Sequence, residues 1–166
     1  MKRIMTAVIL GIPVLVAGAL VLGQPRVVRM TPTVWADEGA PCSLGSAAGN
    51  WSFTDNGTIV SPPLGLRAAV GKFMLDAEGN LVNGVATSSL NGGVASETFY
   101  GTYTVGHDCT GTIDVKIFSS NIELFEVTLF TAFDNSMKEM RGLFTSVTTP
   151  SGTPLTTVVS LDARKQ

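Results

Sequence analysis

The sequence is poor in the side chains on which most catalytic sites depend. Its 166 residues include one histidine, two cysteines and two tyrosines, and charged residues make up 14%. A single histidine leaves a zinc site without a second imidazole ligand. Motifs of the types G-x-S-x-G and H-E-x-x-H, Gly-rich phosphate loops and calcium-loop runs of carboxylates are also missing. The sequence therefore predicts no metal and no cofactor, and it offers no confident catalytic residue.

Basic residues are scarce beyond the first 36 positions. That later part holds all 13 acidic residues and only seven of the 11 basic ones, a net charge of −6. A domain of this sign attracts phosphate backbones poorly, so nucleic acid is a poor candidate partner.

The N-terminal segment has the composition of an export signal. Lys2 and Arg3 precede an uncharged apolar run at residues 4–22, which indicates a secretory signal. The run is also long enough to span a bilayer, so an uncleaved membrane anchor is the alternative. We divide the chain into a signal or anchor with its lead-in, residues 1–36, and one domain, residues 37–166. Either alternative predicts a secreted, periplasmic or cell-surface protein.

The two cysteines are predicted to form one disulfide, Cys42–Cys109, because exported chains oxidise such pairs. Cys109 follows His107 and Asp108, so a catalytic cluster is the alternative. Three sequence neighbours in a turn are poorly placed for catalysis, and an oxidised cysteine has no thiolate. We therefore predict a hairpin turn, in which Gly106 or Gly111 takes a positive φ.

The rest of the chain reads as β-strands separated by turns. Apolar, β-branched and aromatic residues alternate with polar ones, and the connections are short and rich in Gly, Asn, Ser and Pro. Short connections favour antiparallel neighbours, and without helices to cover the edges the sheet is expected to close into an up-and-down barrel. The sequence thus predicts an all-β, eight-stranded barrel, with an open sandwich as the alternative. The predicted strands are 50–60, 66–76, 81–90, 95–105, 112–119, 122–134, 139–149 and 155–164. Glycines within them would permit the coiling of a small barrel: Gly71, Gly84, Gly101 and Gly142.

The start of the first strand resembles a known family signature. Gly49-Asn50-Trp51 is similar to the G-x-W that begins the first strand of calycin barrels, the lipocalins and avidins. The resemblance implies that Trp51 closes one end of the barrel and that Arg164 stacks over it. Biotin is not expected, because avidins line their site with several tryptophans. The barrels of allene oxide cyclases and dirigent-like proteins are similar in shape and remain an alternative.

Candidate ligand-binding residues come from the fourth and sixth strands. Phe99 and Tyr103 share one face of strand four, and strand six is apolar on both faces. Glu126 and Phe130 share a face of strand six, where a buried Glu126 would have a raised pKa. We predict ligand contacts for all four residues and regard Glu126 and Tyr103 as weak catalytic candidates. The alternative places Glu126 outside, paired with Arg141.

Three classes of function fit the sequence. A secreted barrel that binds a small apolar ligand inside is favoured by the fold analogy. A cavity-based cyclase or isomerase of the allene oxide cyclase or dirigent type is the second. A non-catalytic structural or interaction module, a homo-oligomer built through strand six, is the third. A barrel filled by its own side chains would exclude the first two. Asn50 and Asn56 begin glycosylation sequons, which matter if the source is eukaryotic.

Overall fold

The computed structural model describes residues 42–61 and 64–166 of this protein. They form a short helix and eight strands, and the strands close into one antiparallel barrel in chain order. The elements are α1 (Leu44–Ala47), β1 (Gly49–Ile59), β2 (Gly65–Leu75), β3 (Asn80–Leu90), β4 (Gly93–Tyr103), β5 (Thr110–Ser119), β6 (Ile122–Phe133), β7 (Glu139–Thr148) and β8 (Thr157–Lys165). The predicted leader, residues 1–36, lies outside the described residues. Within the described ranges, no helix has the length and apolarity needed to cross a bilayer.

The predicted barrel is confirmed, and the predicted strand limits differ from the observed ones by at most two residues. Each strand alternates buried and exposed positions, as in β8, where Val159, Leu161 and Ala163 are buried and the residues between them are exposed. This period of two turns one face of every strand towards a shared interior. The sequence alternation is therefore what places the core inside the barrel.

Pairing between the first and last strands closes the sheet. β1 pairs with β2 on one side and with β8 on the other, from Trp51↔Lys165 to Ile59↔Thr157. Strong coiling brings backbones close at three of the predicted glycines: a Cβ at Gly71 would overlap the carbonyl of Val85, one at Gly84 the carbonyl of Phe99, and one at Gly101 the carbonyl of Asp114. At Gly142 an added Cβ would make ordinary contacts of 3.4 Å or more, so the coiling does not require glycine there.

Trp51 closes one end of the barrel, as predicted. Its side chain is fully buried and contacts the ring of Phe133 edge-on, with centroids 6.0 Å apart. The indole Nε1 donates to the carbonyl of Ala47 at 3.0 Å. Ala47 ends α1, whose first turn is capped by Ser43 and Ser46. The helix thus covers this end, which we call the Trp51 end.

The predicted stacking of Arg164 on Trp51 is wrong. Arg164 is exposed, and its Nη2 lies 2.9 Å from Oε1 of Glu139. The register explains the error, because Trp51 pairs with Lys165, so Lys165 faces the tryptophan's side of the sheet and Arg164 faces out. Lys165 donates from Nζ to the carbonyl of Ser46 at 2.9 Å. The basic residue at the closed end is therefore one position later in the sequence.

The predicted disulfide is confirmed. Cys42 and Cys109 are bonded, with Cα atoms 5.1 Å apart, and tie the residues before α1 to the β4–β5 connection at the Trp51 end. The turn itself differs from the prediction, because Cys109, with φ of 62°, takes the left-handed conformation that we assigned to a glycine. His107 is exposed. The sequence His107-Asp108-Cys109 therefore forms a disulfide-bonded turn.

The two ends of the barrel differ in charge. Connections at the Trp51 end carry Asp76, Glu78, Asp108, Asp134 and Lys138. The four connections at the other end, residues 60–64, 91–92, 120–121 and 149–156, contain no charged residue. We call this the open end, and exposed apolar side chains lie around it: Val60, Leu64, Val94 and Ile122. A ligand or partner reaching this end meets an uncharged, apolar rim.

We expect Trp51→Ala to lower the free energy of unfolding by about 3–5 kcal/mol, the usual cost of deleting a buried large aromatic. Urea denaturation followed by circular dichroism measures it. Arg164→Ala is the matched control at the same end and should stay within about 0.5 kcal/mol of the parent, because its side chain is exposed. A loss below about 1 kcal/mol for Trp51→Ala would contradict the buried position.

Reduction of the disulfide should also destabilise the barrel. The bond joins residues 67 apart, and the chain-entropy model gives about 4 kcal/mol for a loop of this length. The measurement is urea denaturation with and without reductant, after peptide mapping under non-reducing conditions has identified the linked pair. An unchanged denaturation midpoint, or free thiols at both positions in the isolated protein, would rule the prediction out.

Candidate functional site

The middle of the barrel is filled by aromatic side chains. Phe53, Phe73 and Phe99, from β1, β2 and β4, contact one another with ring centroids 5.7–6.3 Å apart. Aliphatic side chains from β5, β6 and β8 surround them. Such tilted and edge-to-face contacts add to the burial of apolar area. This layer separates the closed Trp51 end from the half of the interior next to the open end.

A cluster of charged side chains is buried beyond the aromatic layer. Arg67 donates from Nη1 to Oε1 of Glu97 at 3.1 Å and from Nη2 to Oε2 of Glu97 at 3.0 Å. Nη2 also donates to Oδ2 of Asp55 at 3.2 Å. Ser88 donates from Oγ to Oε1 of Glu97 at 2.6 Å. All four residues are at most 9% exposed. We call Asp55, Arg67, Glu97 and Ser88 the polar cluster.

Strand parity brings these residues together. Asp55 lies on the inward face of β1 after Trp51 and Phe53, Arg67 precedes inward Ala69 on β2, and Glu97 precedes inward Phe99 on β4. Each strand therefore replaces one apolar inward residue by a polar or charged one, and the register sets them side by side.

The polar cluster is not fully satisfied. Among the described residues, Oδ1 of Asp55 and Nε of Arg67 have no hydrogen-bond partner. An unpaired polar atom in a barrel core costs about 1–3 kcal/mol. The cluster thus leaves one acceptor and one donor unpaired next to the interior space.

Burial also shifts the protonation of this cluster. Desolvation raises the pKa of the Asp55 carboxyl, although Arg67 opposes the shift. Burial alone would lower the pKa of Arg67, but its bonds to Glu97 and Asp55 raise it, so the guanidinium stays charged. Because the pKa of Asp55 is raised in the folded protein, its protonated form favours folding. This contribution to stability is fully present at pH values below the pKa of Asp55 in the unfolded chain, and it is lost as the pH rises through its pKa in the folded protein.

A small cavity lies against the polar cluster. Its volume is about 40 Å³, and its walls are Asp55, Arg67 and Glu97, four phenylalanines and six aliphatic side chains. A second cavity of about 20 Å³ lies nearer the open end and shares Arg67, Ile117 and Phe144 with the first. A water needs about 10–15 Å³, and an apolar cavity that takes up benzene measures about 150 Å³. The closed barrel therefore has room for a few waters, and a molecule of the size of benzene would require the interior to open.

The barrel wall is incomplete beside these cavities. The pairing of β7 with β8 runs only from Glu139↔Arg164 to Leu143↔Ser160. Towards the open end the edge of β7 is met instead by the β7–β8 connection, through Leu155 N to Val147 O at 2.8 Å and a bridge between Thr148 and Pro154. A connection rather than a strand thus covers the side of the barrel next to the second cavity.

A larger hollow of about 770 Å³ lies on the outer face, over Gly71. Its one charged lining residue, Lys72, is exposed. None of the buried polar side chains of the described residues lines this hollow. We therefore place the candidate site inside the barrel.

Two of the predicted site residues point inward. Phe99 is buried in the aromatic layer and lines the 40 Å³ cavity. Tyr103 is also buried, but at the closed Trp51 end, where its hydroxyl hydrogen is shared between the carbonyls of Leu44 and Asp76. Desolvation, with Asp76 and Glu78, raises the pKa of Tyr103 to about 12. Its phenol is therefore held by the main chain, away from the cavity.

The other two predicted residues lie on the outer surface, which corrects the interpretation of strand six. Glu126 is about half exposed and forms an ion pair with Lys116, and Phe130 is 48% exposed. The predicted partner Arg141 lies near Asp162 instead, at 3.6 Å. β6 turns Val127 and Leu129 inward, so the positions between them must face solvent. Glu126 is thus not a buried acid.

The outer face of β6 is also less apolar than the sequence indicated. Besides the pair between Glu126 and Lys116, Thr128 donates from Oγ1 to Asp114 at 2.6 Å. Phe130 and Leu143 are cross-strand neighbours and remain exposed. Two apolar side chains are a small patch of the size that monomers commonly expose.

The sequence analysis missed the polar cluster, although a signal was present. Asp55, Arg67 and Glu97 each share the parity of apolar residues in their own strand, so each is a charged residue on an inward face. No set of three or more His, Cys, Asp or Glu side chains in the described part of the chain is arranged to hold a metal ion.

The known structures that this chain resembles share its fold at low sequence identity. No protein-family model matches the chain, and no curated protein matches it. A solved structure described as EF1p2_mFAP2b bound to DFHBI is similar, with a TM-score of 0.50 and 14% identity, over 73% of this chain and 94% of that one. This likeness supports the barrel alone. The lipocalin, avidin, and allene oxide cyclase or dirigent relationships stay predictions.

We expect Arg67→Met to lower the free energy of unfolding by about 3–5 kcal/mol, because it leaves two buried carboxylates without their counter-charge. Replacing Asp55 and Glu97 by Leu in the same chain should recover most of the loss, since an apolar cluster needs no counter-charge. Urea denaturation measures both. Arg141→Met, which breaks an exposed ion pair, is the control and should cost less than about 1 kcal/mol. Equal losses for the two arginine variants would contradict the buried cluster.

Proposed function

We propose that this protein is an exported β-barrel that binds one small, mostly apolar ligand in the half of its interior next to the open end. The observation that carries the proposal is the polar cluster, whose Asp55 Oδ1 and Arg67 Nε are buried, unpaired and beside a cavity. A few fixed polar groups in an apolar wall are the usual composition of a small-molecule site.

The energetics of the polar cluster favour a binding role over a stabilising one. Buried ion pairs are often matched or exceeded in stability by apolar residues of similar volume. An apolar replacement would also remove the two unpaired atoms. A barrel whose interior served stability alone would gain by losing the cluster, so we assign it to ligand binding.

Ligand entry requires the interior to open. Phe144 is partly exposed and forms a wall of both cavities. Phe144 lies just beyond the point where the pairing of β7 with β8 ends, and there the uncharged connection 149–156 covers the barrel instead of a strand. Displacing Phe144 and this connection would join the two cavities and open them towards the apolar rim of the open end.

Two further observations support parts of the proposal. The Cys42–Cys109 bond fits an oxidising compartment outside the cytosol, in agreement with the export signal predicted at residues 1–36. The similar structure named above is described as bound to DFHBI, so a barrel of related shape holds a small molecule.

A cavity-based cyclase or isomerase is the second candidate. It is favoured by the raised pKa of Asp55, because a buried carboxyl beside a cavity can exchange protons with a bound substrate. Glu126 and Tyr103 do not serve this role in our proposal, since one is outside the barrel and the other is held at its closed end.

Native mass spectrometry tests the proposal on protein purified from the medium of its own source. We expect an added mass that leaves on denaturation, and benzyl alcohol, a small neutral probe, should bind the emptied protein. Ile117→Phe should abolish both, because Ile117 forms a wall of both cavities and a larger ring there fills them.

Leu143→Phe is the control for this experiment. It adds a ring of the same kind on the outer face, where Leu143 is 51% exposed, and it should leave binding unchanged. Protein that carries no added mass and binds no benzyl alcohol would overturn the proposal. So would binding that survives Ile117→Phe.

A further inference from the structure

The charges of the polar cluster do not balance. Arg67 brings one positive charge, and Asp55 and Glu97 bring two negative ones when both are ionised. Glu97 uses both of its carboxylate oxygens on Arg67 and also accepts from Ser88. Asp55 accepts from Arg67 only through Oδ2, and its Oδ1 has no partner in hydrogen-bonding geometry among the described residues; the backbone amide of Ala69 makes only the smallest contribution to the pKa of this carboxyl. The uncompensated negative charge is therefore located at Asp55.

Aromatic rings share the wall of this cavity with aliphatic side chains. Phe53, Phe73 and Phe99 line the same cavity as Asp55, and Asp55 follows Phe53 on the inward face of β1. The faces of aromatic rings attract cations, and the attraction grows when water is excluded. A free carboxylate oxygen within an aromatic wall is a suitable environment for an organic cation and a poor one for an anion.

We infer that the head group bound at this site is a protonated amine, held between Asp55 Oδ1 and the aromatic layer. The inference rests on the proposed function and specifies the chemical class of its ligand. An ammonium would donate to the unpaired oxygen and cancel the excess charge, and hydrogen bonds between ions are about twice as strong as neutral ones. Burial is the main cause of the raised pKa of Asp55, and the charge of Glu97 adds to it.

Carboxylate ligands are disfavoured by the same geometry. A carboxylate would add a third negative charge to a buried cluster that already has one too many. The free Nε–H of Arg67 is a single donor and does not offset that repulsion. The site should therefore select against fatty-acid-like anions and in favour of amines of similar size.

Three probes of nearly equal size separate these outcomes at neutral pH: benzylamine, a cation; benzyl alcohol, a neutral donor; and benzoate, an anion. Their dissociation constants for the full chain, purified free of ligand, can be measured by calorimetry at one fixed salt concentration. We expect benzylamine to bind about tenfold more tightly than benzyl alcohol, and benzoate to bind least tightly of the three. Benzoate binding as tightly as benzylamine, or equal binding of benzylamine and benzyl alcohol, would overturn the inference.

Asp55→Asn tests the residue directly, because it keeps the shape of the side chain and removes its charge. The preference for benzylamine over benzyl alcohol should fall to near unity in this variant. Asp162→Asn is the matched control, since Asp162 lies on the outer face of the neighbouring strand β8, and it should keep the preference. If Asp55→Asn still prefers benzylamine to benzyl alcohol, a group other than Asp55 binds the cation and the inference is wrong.

The outcomes distinguish the inference from the proposed function. If benzyl alcohol binds and Ile117→Phe abolishes it, but the charge ranking is absent, only the amine is wrong. If none of the three probes binds the parent protein and the protein from its own source carries no added mass, both fail together; if an added mass is present but no probe binds, the amine inference alone fails. Should Asp55→Asn not fold, the ranking of the three probes on the parent protein decides by itself.

Discussion

The volume enclosed by eight strands is the constraint on which the rest of this structure depends. A barrel of this size is either just filled by its own side chains or just wide enough for one small ligand, and this one lies close to the filled limit, with cavities of about 40 and 20 Å³. At the Trp51 end, the side chains of Trp51, Phe133 and Tyr103 fill the interior. The other half contains the polar cluster and both cavities, and there the movement of any side chain changes the cavity volume. Phe144, which forms a wall of both cavities, therefore has more influence on the free volume of the interior than any residue of the closed end.

Much of the fold could be predicted from local sequence, because strands and tight turns depend on near neighbours. Alternation and turn residues located all eight strands to within two residues, and the cysteine count located the disulfide. Arg164 and Glu126 were misplaced for a shared reason. Both were interpreted from their neighbours in the sequence. In a strand, however, the residues that a side chain lies beside on neighbouring strands decide which face it is on. Arg164 pairs with Ser52 and Glu139, and Glu126 pairs with Lys116.

The polar cluster could not be assembled from local sequence, because its members come from β1, β2, β3 and β4 and meet only when the registers of all four are set. Parity alone could have identified Asp55 and Glu97 as charged residues on inward faces. It could not show that Arg67 reaches both of them or that one oxygen stays unpaired. The volume of the interior could not be predicted from the sequence either, because cavities of this size depend on individual rotamers such as that of Phe144.

The closing pair of strands, β1 and β8, has a consequence for the time course of folding. These strands lie at opposite ends of the barrel sequence, so their nine pairs form only after the largest loss of loop entropy, and topologies dominated by such distant contacts fold in milliseconds to seconds. Until closure, both strands present unpaired edges, which are templates for aggregation. The outer face of β1 carries Ser52, Thr54, Asn56 and Thr58, and that of β8 carries Ser160, Asp162 and Arg164 beside one exposed apolar residue, Val158. Polar and charged side chains of this kind next to an unpaired edge disfavour its pairing with another copy of the chain before the barrel closes.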